Sequence, residues 1–169
     1  YKNIGVDGIK TGYLAVEKYS LASSMKKNDR RLIAVASGFE NKNLRSLESQ
    51  KLLNWGFRNS NTFEISKKKS TIFEIDTWLG KTNKIKSVTH EDYYITISKK
   101  DVRNLKVSVQ YNGPIIAPIK KNQKLGILKV IYKDEIINEY QVYAFEDVKK
   151  LNIVSRIIKS INYLIWGDV

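Results

Sequence analysis

The sequence predicts an α+β segment of antiparallel strands with one helix, followed by an all-β sandwich and a C-terminal amphipathic helix. Three observations support this. Residues 19–39 hold two apolar runs around a turn signal, and residues 43–57 switch to a helical apolar period. Residues 71–145 then return to short runs rich in β-branched and aromatic residues. We therefore expect domains at 1–60, 61–147 and 148–169.

Within the first segment, Tyr19 to Lys26 and Arg31 to Phe39 are predicted to pair as a hairpin, because Lys27-Asn28-Asp29 is a turn signal. A helix is predicted from Asn43, as N-cap, to Phe57, with Gly56 as its stop signal. The apolar stripe of this helix recurs at three- and four-residue steps. It consists of Leu44, Leu47, Leu52 and Trp55, with Lys51 among them.

The central region is predicted to be all-β, with residues 59–69 as the junction that precedes it. Alternation of apolar and polar residues over 105–111 is typical of a strand with one solvated face. The predicted strands are Thr71–Ile75, Tyr93–Ser98, Leu105–Tyr111, Leu125–Tyr132 and Glu139–Phe145.

The C-terminal segment is predicted to be an amphipathic helix too short in apolar length to span a bilayer. Basic and polar residues such as Arg156, Lys159 and Asn162 fall largely off its apolar stripe. Three partners remain open for that stripe: the β domain, a membrane interface, or another copy of the chain. The stripe consists of Val154, Ile157, Ile158, Ile161, Leu164 and Ile165.

Composition excludes several kinds of site. The chain of 169 residues has no cysteine and one histidine, His90. Disulfides, thiolate nucleophiles, cysteine zinc sites and a Ser-His-Asp triad are therefore excluded, and we predict no metal site and no cofactor. The net charge of +13 favours anionic partners, although a coding bias toward lysine would produce the same excess. We predict no nucleic-acid partner, because the basic residues are scattered and no aromatic recognition motif occurs.

The residues that indicate chemistry are Val6 to Tyr13, V-D-G-I-K-T-G-Y. Lys-Thr-Gly is an element of active-serine penicillin-interacting enzymes. A cation at Lys10 and a hydroxyl at Thr11 suit a substrate carboxylate, and Gly12 permits close approach of a peptide to the strand. The next backbone N–H, that of Tyr13, could point at a carbonyl oxygen that becomes negative on attack.

With the runs Y-S-L-A-S-S, K-L-L-N-W-G-F-R, V-S-V-Q-Y and G-P-I-I-A-P-I-K-K-N-Q-K-L-G, this motif resembles the C-terminal part of D-alanyl-D-alanine carboxypeptidases. These are low-molecular-mass penicillin-binding proteins of the peptidase S11 type. The resemblance covers nearly the whole chain. It implies that residues 1–60 end a penicillin-binding, β-lactamase-like catalytic domain.

The resemblance also implies roles for individual residues. Lys10 would join the proton-relay network and bind the substrate carboxylate, Thr11 would hydrogen-bond that carboxylate, and Gly12 would line the strand edge. Tyr13 would give its N–H to the oxyanion hole, and Arg45 would be a second carboxylate partner. The catalytic residues are thus Lys10, Thr11 and Gly12, and the substrate-binding residues are Lys10, Thr11, Tyr13 and Arg45.

The implied activity is a serine D-Ala-D-Ala carboxypeptidase that releases terminal D-alanine from peptidoglycan peptides through an acyl-enzyme and binds β-lactams. The family's Ser-x-x-Lys and Ser-x-Asn elements are not in this segment, which should be inactive alone. The implied location is the periplasmic face of the bacterial inner membrane, with the C-terminal helix on its anionic surface.

Two departures from the family pattern fall just after the motif. Leu14 replaces a threonine, and Glu17-Lys18 stand where Ala-Gly precedes a tyrosine, here Tyr19. These departures bear on substrate preference. Ser23 and Lys26 have Ser-x-x-Lys spacing, but strand geometry would place them on opposite faces. Alternative functions are a non-catalytic wall- or partner-binding β module, and a β-lactam-hydrolysing enzyme, which the β domain disfavours.

Overall fold

The structure is a computed structural model that describes residues 5–167. It divides the chain into one unit of residues 1–62 with 96–100 and a second unit of residues 63–95 with 101–169. A short 3-10 helix covers Lys99–Asn104. The helices are α1 (Lys42–Asn59) and α2 (Ile153–Trp166), and the strands are β1 (Val6–Leu14), β2 (Lys18–Lys27), β3 (Arg30–Phe39), β4 (Ser60–Ser66), β5 (Thr71–Trp78), β6 (Lys84–Val88), β7 (Tyr93–Ser98), β8 (Leu105–Tyr111), β9 (Ile115–Ile116), β10 (Lys124–Tyr132) and β11 (Glu135–Ala144).

In the first unit, β1, β2 and β3 form an antiparallel sheet in that order. The predicted hairpin is present, with Asn28 and Asp29 in the left-handed conformation at its turn. Helix α1 covers one face of the sheet around a small buried core. The core is formed by Met25, Ala34 and Leu53, with Val6, Leu32 and Phe57 packed against it.

The predicted ends of α1 were wrong at both positions. The N-cap is Asn41, not Asn43, because Asn41 has extended backbone and its Oδ1 accepts the Leu44 N–H at 2.9 Å. Gly56 lies inside the helix, which ends at Asn59. A Cβ on Gly56 would stand 2.9 Å from Leu32 Cδ1, so the glycine lets the helix pack closely on β3 instead of stopping it.

The apolar stripe predicted for α1 exists, but it is not the face that packs on the sheet. The buried residues of the helix are Ser49 and Leu53. The stripe is exposed, from 38% at Leu44 to 59% at Trp55. Periodicity identified a stripe correctly, but the sheet contacts the other side of the helix.

The second unit confirms the prediction of a mostly β region followed by a C-terminal helix. Its largest sheet has the order β8-β10-β11-β6-β5-β9. A separate two-stranded sheet pairs β4 with β7, and each of these strands has residues in both units. Strand β4 lies in the predicted junction, and β6 and β9 were not predicted. The core is Ile75, Ile85, Ala117, Ile119, Leu125, Ala144 and Val148.

Helix α2 begins and ends at capped residues. Asn152 Oδ1 accepts the Ser155 N–H at 2.8 Å, and Gly167 closes the helix in the left-handed conformation with its N–H on the Tyr163 carbonyl. The helix therefore begins after an asparagine and ends at a glycine, the residue types that favour these two cap positions.

We expect Ile85→Ala to lower the free energy of unfolding by about 2–5 kcal/mol, because the side chain is only 1% exposed in the core of the second unit. The matched control is Ile136→Ala, an isoleucine of the same sheet that is 51% exposed. It should cost under about 1 kcal/mol. Urea unfolding followed by circular dichroism measures both, and equal losses would contradict this core.

Candidate functional site

Lys10 and Thr11 lie on β1, which is the edge strand of its sheet in the described part of the chain. Lys10 is opposite Ala22, and Thr11 is opposite Leu21. Because directly opposed residues share a face, Thr11 lies on the face that carries α1 and Lys10 lies on the other. Both side chains are exposed. A ligand lying along the open edge could therefore meet the cation from one side and the hydroxyl from the other.

Gly12 is opposite Ser20, where the two strands approach closely. A Cβ on Gly12 would stand 2.4 Å from Ser20 Oγ. The Gly12 backbone φ lies outside the left-handed region. A glycine is therefore needed here because a side chain would not fit, and not because of the backbone conformation. Its missing side chain lets β1 and β2 approach closely at this point of the motif.

Arg45 lies at the same end of the sheet as Tyr13, and the Tyr19 ring contacts both residues. The Tyr13 and Tyr19 rings lie 4.7 Å apart between centroids, and the Arg45 guanidinium carbon lies 5.8 Å from the Tyr19 ring centroid. The sequence predicted Tyr13 and Arg45 as site residues but not the ring that connects them.

Sequence reasoning also missed a charged cluster at the start of β1. Arg31 donates to Asp7 Oδ1 at 2.7 Å, and its second terminal nitrogen lies 2.7 Å from Oδ2. The same guanidinium donates to the Ser24 hydroxyl, so one arginine on β3 reaches across β2 to β1. Hydrogen bonding from Arg31 lowers the pKa of Asp7, and Asp7 in turn raises the pKa of Arg31.

This cluster holds an irregular part of the motif strand. The register between β1 and β2 shifts between Val6 and Ile9, and Gly8 has a φ of +137°. Such a φ is strained for any residue with a side chain. The shift decides which face Lys10 occupies, and the bidentate Asp7–Arg31 pair links β1 to β3 beside it. A signal was present in the sequence as Asp7 and Arg31, but their pairing requires the register of three strands.

Ser23 and Lys26 do not form a nucleophile pair. Ser23 is buried and its hydroxyl donates to the Ala34 carbonyl at 3.4 Å, while Lys26 Nζ lies 3.2 Å from Asp29. The Ser-x-x-Lys spacing at this place is coincidental, as the strand period predicted.

A second candidate surface is the apolar stripe of α2. The helix contacts its unit through polar residues and one ring: Lys159 Nζ donates to Asn83 Oδ1 at 3.0 Å and lies over Trp78, against which Tyr163 packs at 5.0 Å between centroids. The stripe lies on the other side of the helix and is exposed, from 50% at Ile161 to 86% at Leu164.

An apolar groove lies beside α2. A groove of about 460 Å³ runs between Leu79 and one side of the helix and is lined almost entirely by apolar groups, with Arg156 at its border. Of the helices in residues 5–167, none is long and apolar enough to cross a bilayer.

The chain is similar to known proteins over most of its length. Residues 61–150 match the family model described as "Penicillin-binding protein 5, C-terminal domain". D-alanyl-D-alanine carboxypeptidase DacF of Bacillus subtilis is 34% identical over 89% of the chain, and DacC of Escherichia coli is 32% identical over 92%. The chain spans 39% of each relative.

The chain is also similar to solved structures. Penicillin-binding protein 5 of Haemophilus influenzae superposes with a TM-score of 0.69 at 31% identity, covering 87% of this chain and 43% of that one. D-alanyl-D-alanine carboxypeptidase DacD of Francisella tularensis superposes with a TM-score of 0.63 at 30% identity, covering 87% and 37%.

We expect Asp7→Asn to lower the thermal midpoint at neutral pH, because it removes the bidentate partner of Arg31. A carboxylate whose pKa is lowered by folding stabilises the protein above its unfolded pKa, about 3.9, and this contribution is lost as the pH falls through the folded pKa. The difference between the parent protein and Asp7→Asn should therefore disappear in strong acid.

Asp29→Asn is the control for this experiment, since it removes a carboxylate at the β2–β3 turn of the same sheet that is almost fully exposed and makes one contact, with Lys26. It should change the midpoint little at any pH. A difference for Asp7→Asn that stays constant from neutral pH to strong acid would contradict the ion pair. Differential scanning fluorimetry across a pH series measures it.

Proposed function

Because the chain belongs to the family of penicillin-binding protein 5 C-terminal domains, we propose that the complete protein containing it is a serine D-alanyl-D-alanine carboxypeptidase. It would trim terminal D-alanine from peptidoglycan peptides and bind β-lactams. The curated relatives carry that carboxypeptidase name. Since the chain spans only about two fifths of them, the activity of the complete protein is our proposal.

The observation that carries this proposal is the open edge of β1. Lys10, Thr11 and Gly12 follow one another on a strand with one neighbour in residues 5–167, and both side chains are exposed. An extended peptide can lie along such an edge with its backbone groups paired. The ammonium of Lys10 and the hydroxyl of Thr11 would then bind its terminal carboxylate.

The chemistry would proceed by acyl transfer. A serine hydroxyl supplied by the remainder of the catalytic domain would attack the carbonyl carbon of the D-Ala-D-Ala bond and lose its proton to a base. The C–N bond would break, and D-alanine would leave with that proton on its amine. Water would then hydrolyse the ester. In this segment, the Tyr13 N–H would stabilise the oxyanion, and Lys10 would interact with the proton relay.

The first unit has the character of an incomplete domain, which supports its assignment as the end of a catalytic domain. Ile33 and Val35 are 62% and 75% exposed on the sheet face opposite α1, and the α1 stripe from Leu44 to Trp55 is exposed as well. Apolar surface on this scale is typical of an interface. We propose that the rest of the catalytic domain covers it, at the periplasmic face of the inner membrane.

The stripe of α2 supports a membrane-associating role for that helix. An amphipathic helix usually packs its apolar side on protein, but α2 packs its polar side there and presents Ile157, Ile161 and Leu164 outward. Arg156 lies at the border of the stripe, an arrangement that suits an interfacial helix on anionic lipid. We propose that α2 tethers the protein to the anionic membrane surface.

We expect fluorescent penicillin to label the complete protein covalently and to leave residues 1–169 alone unlabelled. Thr11→Val in the complete protein should slow acylation by about 10- to 100-fold, the size of one hydrogen bond to a charged group. Thr11→Ser keeps the hydroxyl and should stay within about fourfold of the parent. Stopped-flow or gel measurement of acylation gives the rates.

If the complete protein is not labelled, the carboxypeptidase proposal is wrong. If Thr11→Val and Thr11→Ser are slowed equally, the proposed role of the hydroxyl is wrong.

For the membrane proposal, we expect Leu164→Glu to weaken pelleting with phosphatidylglycerol vesicles by about tenfold or more, because it removes one apolar side chain from the stripe. Asn162→Glu makes the same change of charge on an exposed helix position off the stripe and should change binding far less. Equal losses would mean that charge alone binds the lipid. Unchanged pelleting after deletion of residues 150–169 would exclude the tether.

A further inference from the structure

We propose that Tyr19 is the positioning residue that sets Arg45 against the end of the K-T-G strand, so that Arg45 meets the substrate carboxylate. This inference rests on the proposed carboxypeptidase function. Tyr19 lies on β2, directly opposite Tyr13 of β1 and directly opposite Phe39 of β3. It therefore stands between the motif strand and the strand that leads into α1.

The Tyr19 ring is the contact that holds the Arg45 side chain. The guanidinium carbon lies 5.8 Å from the ring centroid, within range of a cation–π interaction. Among residues 5–167 the Arg45 side chain makes no hydrogen bond or ion pair, and its Nε is buried without a partner. The guanidinium is thus positioned by an aromatic face, and its two terminal nitrogens carry the donors that we expect to bind a carboxylate.

The same ring contacts the motif strand. Tyr13 packs on Tyr19 at 4.7 Å between centroids with the ring planes inclined by 45°. Tyr13 follows Gly12 and carries the N–H assigned to the oxyanion. One side chain therefore links the residue beside the reacting carbonyl to the cation proposed for the terminal carboxylate.

A second contact fixes the start of α1 at this place. Lys18 Nζ pairs with the Glu40 carboxylate, joining the β1–β2 turn to the residue just before the N-cap Asn41. The Arg45 N–H donates to the Asn41 carbonyl at 3.0 Å, so the first helical turn carries Arg45. A long arginine side chain loses rotamer freedom when it binds a ligand, and a preformed contact reduces that loss.

The test compares Tyr19→Phe, which keeps the ring, with Tyr19→Leu, which removes it, in the complete enzyme acting on a peptide ending in D-Ala-D-Ala. Tyr19→Phe should leave kcat/KM within about twofold of the parent. Tyr19→Leu should raise KM about five- to tenfold with kcat little changed, because uniform binding of the carboxylate is lost. Tyr19→Met, which fills similar volume without an aromatic face, repeats the comparison if Tyr19→Leu lowers the thermal midpoint.

A double-mutant cycle separates positioning from a structural role. In an Arg45→Gln background, Tyr19→Leu should raise KM no further, because the group that it positions is absent. Independent, multiplying effects would overturn the inference, as would equal losses in Tyr19→Phe and Tyr19→Leu. If the parent enzyme neither releases D-alanine nor is acylated by penicillin, the proposed function fails instead.

Discussion

Strand β1 has one paired neighbour in the described part of the chain, and the candidate site depends on that open edge. An exposed edge invites unwanted pairing, and proteins commonly guard such edges with charge and irregular backbone. Both devices are present here: Lys10 lies on the edge, and the register shifts around Gly8. The unpaired side of β1 is where an extended peptide would add as a further strand. Asp7, through its bidentate pair with Arg31, links this irregular start of β1 to β3.

The two helices share a second constraint, since each contacts its own unit through the side opposite its apolar stripe. Helix α1 packs through Leu53 and the flat surface at Gly56, and α2 packs through Lys159 and Tyr163. The apolar stripe of each helix is therefore available to contact a partner outside its own unit. For α1 we propose the remainder of the catalytic domain, and for α2, with Arg156 beside the stripe, a lipid surface.

Features that depend on local sequence were predictable. The β2–β3 hairpin followed from two apolar runs around Lys27-Asn28-Asp29, and Asn28 and Asp29 take the left-handed conformation that such a turn favours. The strand around Lys10 followed from the motif. Features that depend on contacts between residues far apart in the sequence were not predictable. Periodicity showed that α1 has an apolar stripe but could not show that the sheet contacts the other side, and the link from Tyr13 to Arg45 needed the register that places Tyr19 between them.

The departure from the family pattern at Lys18 can be explained in the same physical terms. Lys18 has a φ of +59°, the left-handed conformation, and the family pattern has a glycine at this position. A residue with a side chain costs about 1–2 kcal/mol in that conformation. The chain nevertheless keeps the turn, and the lysine gains a contact with Glu40 that glycine could not make. The turn from β1 into β2 is therefore preserved, and Tyr13 still lies directly opposite Tyr19. In addition, Lys18 forms an ion pair with Glu40, just before the helix that carries Arg45.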